Sequence, residues 1–287
     1  LYEKSVKCYM VFADLHTHTT KSDGNTEPEN VVSVAKEHGV KAIAVTDHDV
    51  VHEGKTPIEH RSEVDVINGI ELRVDPENCA DRIDLLGYGV IPSKRLSHVL
   101  RQLQKNRVRR ADAMLDLIED ETGVRVTTEE HENIGRGHIA QAIAECDDLE
   151  YTYEEAFNEL IGTDCPCYRQ RDIPSFEYGV ELLRETCEFI SLAHPYRYEK
   201  SAEDALKLAQ HLDGVEVEYP YERKQKHGLS PRRDDNISNV AAEWFDLTIT
   251  GGSDAHRKHE TGQKGLTKQQ YEKFLEQSNL KYYSGHF

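Results

Sequence analysis

Long apolar runs are missing from this 287-residue chain. None approaches the roughly 20 residues that span a bilayer, so the sequence predicts no transmembrane helix. Leu1 to Tyr9 lack the apolar core of a secretion signal, and the chain reads as cytoplasmic. Positive charge is scarce: 35 Lys and Arg face 53 Asp and Glu, a formal net charge of −18. That balance argues against a broad nucleic-acid surface and an extended duplex as partner, but leaves room for a local basic pocket. Cysteine is sparse, with Cys8, Cys79, Cys146, Cys165, Cys167 and Cys187 dispersed along the chain. This argues against a disulfide scaffold and fits a reducing compartment. Cys165–Pro166–Cys167 has no second pair to complete a four-thiolate zinc site, so it reads as free thiols. A nucleotide P-loop, a Gly–x–Ser–x–Gly elbow and a nucleophilic cysteine in a telling context are absent too.

What is present is a recurrence. Seven short apolar runs end in, or carry, His, Asp or Glu. They are Val11 to His18, Ala42 to Asp49, Val66 to Glu71, Ile83 to Tyr88, Phe189 to Pro195, Gly214 to Glu218 and Leu247 to His256. Short β-branched runs predict strands, and continuous apolarity predicts burial on both faces. If the strands run parallel, their C-terminal ends share one rim, where barrel enzymes build their sites. Imidazoles and carboxylates crowded there need a cation.

Helical patterns alternate with these strands, as in a parallel α/β sheet. Pro28 opens a helix with Val31, Val34 and Ala35 as its apolar stripe, and Gly39 closes it. Further helices are predicted over 175–187, 202–212 and 237–245, with a covering helix over 267–277. The rhythm breaks between residues 93 and 171. Leu96, Val99, Leu100 and Leu103, then Val108, Ala111, Leu115 and Ile118, recur at helical spacing until Gly123. The expected organisation is a catalytic barrel from 1–92 and 172–287, with 93–171 a helical insertion over its rim.

His16 and His18 stand two apart at a strand end, a spacing that puts both imidazoles on one face. Asp23 follows in a polar turn. Asp47–His48–Asp49 closes the next strand, Glu71 ends another, His194 precedes a strand-stopping Pro195, and Asp254 and His256 repeat the two-residue spacing. A metal site and a hydrogen-bonded rim cluster both fit these residues, and the repeated pairing favours metal.

The motifs Asp14–Leu15–His16–Thr17–His18, Thr46–Asp47–His48–Asp49, Gly69–Ile70–Glu71, Ala193–His194–Pro195 and Gly252–Ser253–Asp254–Ala255–His256 resemble those of the PHP (polymerase and histidinol phosphatase) superfamily. They occur in order across almost the whole chain. The resemblance implies a distorted seven-stranded (β/α)7 barrel with a trinuclear metal site. It places one metal on His16, His18, Glu71 and Asp254. A second would share Glu71 and take His194, and a third would take Asp23, His48 and His256. Where the superfamily often has a further His, this chain aligns Asp84. Two readings fit: a carboxylate ligand that shifts the site toward oxygen donors, or a rim residue beside a weakly held metal.

Gly135–Arg136–Gly137–His138 and Tyr196–Arg197–Tyr198 resemble phosphate-gripping elements of the subgroup that removes the 3′-phosphate of nucleoside 3′,5′-bisphosphates, some members of which trim short RNA from the 5′ end. Arginine's fork suits phosphate oxygens, although Arg136 and Arg197 can equally pair with acidic neighbours. The basic stretch Arg101, Lys105, Arg107, Arg109 and Arg110 reads as a solvated helix face, with a steering strip for anions as the alternative.

The resemblance thus implies a phosphoesterase with two or three divalent ions (Mn²⁺, Fe²⁺ or Zn²⁺) that hydrolyses a phosphate monoester or diester by a metal-activated hydroxide. His194, His256 and the Asp254 carboxylate are the candidates for proton transfer to the leaving group. The expected substrate is a nucleoside 3′,5′-bisphosphate or short 5′-phosphorylated oligonucleotide. Histidinol phosphate is the rival, and a non-catalytic PHP-type interaction module the alternative from another class.

Overall fold

The apolar runs form strands wherever β-branched and aromatic side chains are flanked by turn residues. The computed structural model describes residues 10–52, 56–77, 79–128, 134–198, 201–221 and 237–280. Leu1 to Tyr9, Cys8 among them, lie outside the described residues. The strands are β1 (Ala13–Thr17), β2 (Ala42–Val45), β3 (Ile58–Arg61), β4 (Val64–Val74), β5 (Ile83–Tyr88), β6 (Phe189–Leu192), β7 (Gly214–Glu218) and β8 (Thr248–Gly251). They make one sheet in the order β1-β2-β4-β5-β6-β7-β8, with β3 paired to β4 off this path. Past the end of β8, Ala255 bridges Thr17 in parallel, so the two edges of the curled sheet approach each other.

The sheet is mixed rather than parallel throughout. β5 runs antiparallel to both β4 and β6. The reason is the long β4, whose first half pairs with β2 and whose second half pairs with β5. A hairpin connection between β4 and β5 leaves no room for a crossover helix. The reversal brings Asp84, near the start of β5, opposite Arg73 near the end of β4. A carboxylate at the beginning of one strand thereby sits at the level where parallel strands finish. β3 was not foreseen from the sequence. It turns into β4 through Ser62 and Glu63, both at positive φ, as a two-residue hairpin turn demands.

Contacts divide the chain into two compact units, Leu1–Pro92 with Pro174–Phe287, and Ser93–Ile173. The first holds the sheet and α1 (Val31–Glu37). Its core gathers Leu15, Ile67, Leu86, Tyr88 and Phe189, together with Tyr271 and Phe274 of the last helix, Lys268–Gln277. Phe274 meets Tyr88 and Phe189 edge-on, at centroid distances of 5.4 and 5.2 Å. Such pairs contribute about 0.5–1.5 kcal/mol beyond their burial. The second unit is helical. Its α2 (Lys94–Thr122) is one continuous helix, capped by Ser93 at its start and by Gly123 in the left-handed region at its end. Next comes α3 (Arg136–Ala144). Met114, Ile118, Ile139, Ile143 and Leu160 form its separate core. No helix among the described residues is long and apolar enough to cross a membrane.

Candidate metal centre

Alternation along β1 places His16 and His18 on one face, as a strand must. Their ring centroids are 5.2 Å apart, and both residues are buried. The chain crosses itself tightly here. A Cβ on Gly252 would lie 2.3 Å from the His16 backbone nitrogen, so only glycine lets the β8 end pass. Asp254 then takes φ of 50°, and His194, just past β6, takes φ of 26°. Strained backbone held by surrounding structure is a mark of functional sites.

The sequence-predicted ligands fall into three adjoining groups. Each group's ligand atoms lie within 4.8 Å of one another. One group is His16, His18, Glu71 and Asp254; a second is Glu71, Asp84 and His194; a third is Asp23, His48, His256 and, in addition, His18. Glu71 is central. Its Oε1 lies 3.0 Å from His194 Nε2, and its Oε2 lies 2.9 Å from His48 Nδ1. His18 Nε2 is 3.0 Å from Asp254 Oδ1, and His256 Nε2 is 3.4 Å from Asp23.

The donor set fits divalent metal ions. His16 Nε2, His18 Nδ1 and His194 Nδ1 are buried without a hydrogen-bond partner. Each such atom costs about 1–3 kcal/mol when left unsatisfied, and a cation would satisfy the lone pairs. The electrostatics point the same way. Burial opposes protonation of His16, yet the Glu216, Asp254 and Glu71 carboxylates outweigh it and push the imidazole well above its usual range. Burial would raise the Asp254 carboxyl, but His16 and the hydrogen bond to His18 hold it well below the usual carboxylate range. The cluster demands positive charge.

Asp84 is engaged on both oxygens. Arg73 Nε and Nη2 donate to Asp84 Oδ1 and Oδ2 at 2.7 and 2.6 Å. Its Oδ2 lies 3.9 Å from His194 Nε2. Each carboxylate oxygen retains a second lone pair, so the clamp fixes Asp84 without exhausting it. Arg197 does what its acidic surroundings allow: Nη1 donates to Asp254 Oδ2 at 3.2 Å, and the guanidinium lies 5.2 Å over the Tyr221 ring. The side chain remains 43% exposed. Arg136 and His138 belong to the other unit. The Arg136 guanidinium is stacked 5.0 Å from Phe157 and 5.7 Å from Tyr168. His138 Nδ1 accepts the Gly135 N–H at 3.0 Å, closing the first turn of α3.

Several positioning residues escaped the sequence reading. Glu216 on β7 is buried, faces His16 Nδ1 at 3.2 Å and accepts the His194 N–H at 2.7 Å. It orients two candidate ligands from behind. Asp47 accepts the Thr19 N–H and hydroxyl at 2.7 and 2.6 Å, and also the Ser22 hydroxyl, pinning the loop that carries Asp23. Burial alone would raise the Asp47 carboxyl, but the bond to His52 and its charge, with His18 and the Ser22 hydroxyl, lower it to about 2. The Tyr221 hydroxyl donates to Asp254 Oδ2 at 2.6 Å. The Tyr198 hydroxyl donates to the Ala193 carbonyl at 3.0 Å and accepts the Asp84 N–H at 2.8 Å. A buried Glu within an apolar strand was the one available signal, for Glu216. Nothing local marks Tyr221.

A curled α/β sheet whose rim gathers imidazoles and carboxylates into adjoining groups defines a metal-binding α/β protein. Residues 14–167 match the model of the PHP domain, more than half of the sequence, and the chain belongs to that family. It is a metal-dependent phosphoesterase of the PHP type. It is 28% identical to the 5′-3′ exoribonuclease Rnm of Salmonella typhimurium over 76% of this chain and 80% of that one. It is 26% identical to the phosphoribosyl 1,2-cyclic phosphate 1,2-diphosphodiesterase of Eggerthella lenta, over 85% and 94%. To the 3′,5′-nucleoside bisphosphate phosphatase of Chromobacterium violaceum it is 24% identical, over 88% and 90%. Its fold resembles that of a Bifidobacterium adolescentis protein named for an inferred metal-dependent phosphoesterase activity, with a TM-score of 0.70, 23% identity and coverage of 92% and 96%.

Proposed function

We propose that the chain hydrolyses a phosphate ester of a nucleoside 3′,5′-bisphosphate or of a short 5′-phosphorylated oligonucleotide. The observation that carries this reading is Arg197, held beside the candidate metal ligand Asp254 yet 43% exposed. A guanidinium fixed at that place offers its remaining N–H groups to a phosphate oxygen next to the reacting ester. Two of the relatives are named for nucleotide or RNA substrates, which supports the same choice.

The metal ligands in this reading are His16, His18, Asp23, His48, Glu71, Asp84, His194, Asp254 and His256. Divalent ions bound there supply an activated water and neutralise phosphoryl charge. The chain's own residues do the rest. Glu216 keeps His16 and the His194 backbone in place, and Arg73 keeps Asp84 turned toward Glu71 and His194. Arg197, steadied by Tyr221, holds a second phosphate beside the reacting ester. His194, His256 and Asp254 are this reading's candidates for passing a proton to the leaving oxygen. Arg136, its guanidinium near the Phe157 and Tyr168 rings, and His138 at the same helix start are this reading's candidates for a second phosphate.

The test is phosphate release from matched bisphosphates and monophosphates, short 5′-phosphorylated RNAs and histidinol phosphate, with Mn²⁺ added. The bisphosphate should exceed its monophosphate in kcat/KM. Arg197→Ala or Arg136→Ala should shrink that ratio roughly 10- to 100-fold, the worth of about 1.5–3 kcal/mol for a charged hydrogen bond. Equal efficiency on both would refute the reading, and turnover of histidinol phosphate alone would replace it.

A further inference from the structure

The exposed face of α2 is divided by charge. Lys94, His98, Arg101, Lys105 and Arg109 occupy it in the first half, and 94–111 contains no Asp or Glu. Asp112, Asp116 and Asp120 continue the same face in the second half. The spacing of three and four keeps all of them on one side, opposite the buried Leu96, Leu100, Leu103, Ala111, Met114 and Ile118. Their order is the reverse of what the helix itself favours. A helix start attracts acidic side chains and a helix end attracts basic ones, whereas α2 has no acid in its first turn and no base in its last. No described residue pairs with Arg101, Lys105, Arg109, Asp112 or Asp116. The sign changes between Arg109 and Asp112, and Val108, one residue before Arg109, is 41% exposed.

We infer that this face is self-complementary and pairs two copies of the chain through antiparallel α2 helices about a two-fold axis beside Val108. In that register Arg101 faces Asp116 of the second copy and Lys105 faces Asp112. Two-fold symmetry repeats each pair, and the Val108 side chains meet near the axis. An anionic strand would use the basic half alone and leave the acidic half repelling it. A second copy uses both halves, which is why the observations favour it. The helix spans about 43 Å at 1.5 Å per residue, long enough for a paired face of several turns. A contact made mainly of exposed ion pairs is weak and salt-sensitive.

Sedimentation equilibrium of the intact metal-loaded protein at tens of micromolar tests this. In low salt the mass should be twice 32.8 kDa, falling to the monomer in 1 M NaCl. Arg101→Glu with Lys105→Glu should give a monomer, as should Asp112→Lys with Asp116→Lys. Each variant should keep its circular dichroism spectrum and metal content, since these side chains are exposed. An equimolar mixture of the two variants should restore a one-to-one dimer. A wild-type chain that stays monomeric, variants that still dimerise, or a mixture that does not pair would overturn the inference. A monomeric wild type whose Arg101→Glu/Lys105→Glu variant loses binding to a 5′-phosphorylated oligonucleotide would assign the basic half to an anionic strand instead.

Discussion

Replacing Glu216 with Gln isolates what the buried carboxylate behind the metal groups contributes. The amide keeps the shape and one acceptor oxygen, so the His194 N–H bond, 2.7 Å in the wild type, can persist. What is lost is the negative charge beside His16 Nδ1, now 3.2 Å away. That charge holds the Nδ1–H tautomer and leaves Nε2 free toward Glu71 and Asp254. Outer partners of ligating imidazoles are worth about 10- to 100-fold in metal affinity, or roughly 1.4–2.7 kcal/mol. Chelator-competition titration of Glu216→Gln should show a loss of that size at the tighter site, with the melting temperature little changed. Glu216→Ala should lose the affinity and also stability, because the buried His16 and His194 N–H donors are left unpaired at about 1–3 kcal/mol each. Wild-type affinity in Glu216→Gln would refute the assignment of Glu216 as the group that orients His16.

Asp84→Ala should lower metal content per chain, measured by elemental analysis, and cut turnover about 10- to 100-fold. Arg73→Met should weaken metal binding by about 10- to 100-fold and destabilise the fold by about 1–3 kcal/mol through loss of the two-bond clamp. Unchanged metal content in Asp84→Ala would make Asp84 a partner of Arg73 alone. Asp14→Ala leaves the Ser253 N–H, the Ser253 hydroxyl and the Gly262 N–H without their buried acceptor. A melting-temperature drop on the order of 10 °C, from about 3–5 kcal/mol, should follow in thermal denaturation.

The sequence by itself marked the candidate ligand residues, which the fold gathers into adjoining groups. A two-residue spacing at a strand end puts both side chains on one face, so His16 and His18 announced themselves as a pair, whereas Asp254 and His256 lie past the end of β8, with Asp254 at φ of 50°, and join different groups. The apolar runs, the terminal covering helix and the helical break near residue 93 were equally legible, because periodicity and burial are local properties of the chain. What only the tertiary structure decided depends on strand direction and on neighbours distant in sequence. The reversal of β5 set Asp84 against Arg73, a pairing fixed by antiparallel register and not by any motif. Glu216 acts on His16 from 200 positions away, and Tyr221 reaches Asp254 across 33. A strand's residues state which face they occupy, but which strand lies beside it is a property of the closed sheet. That is why the candidate ligands were readable, whereas the groups that orient them were not.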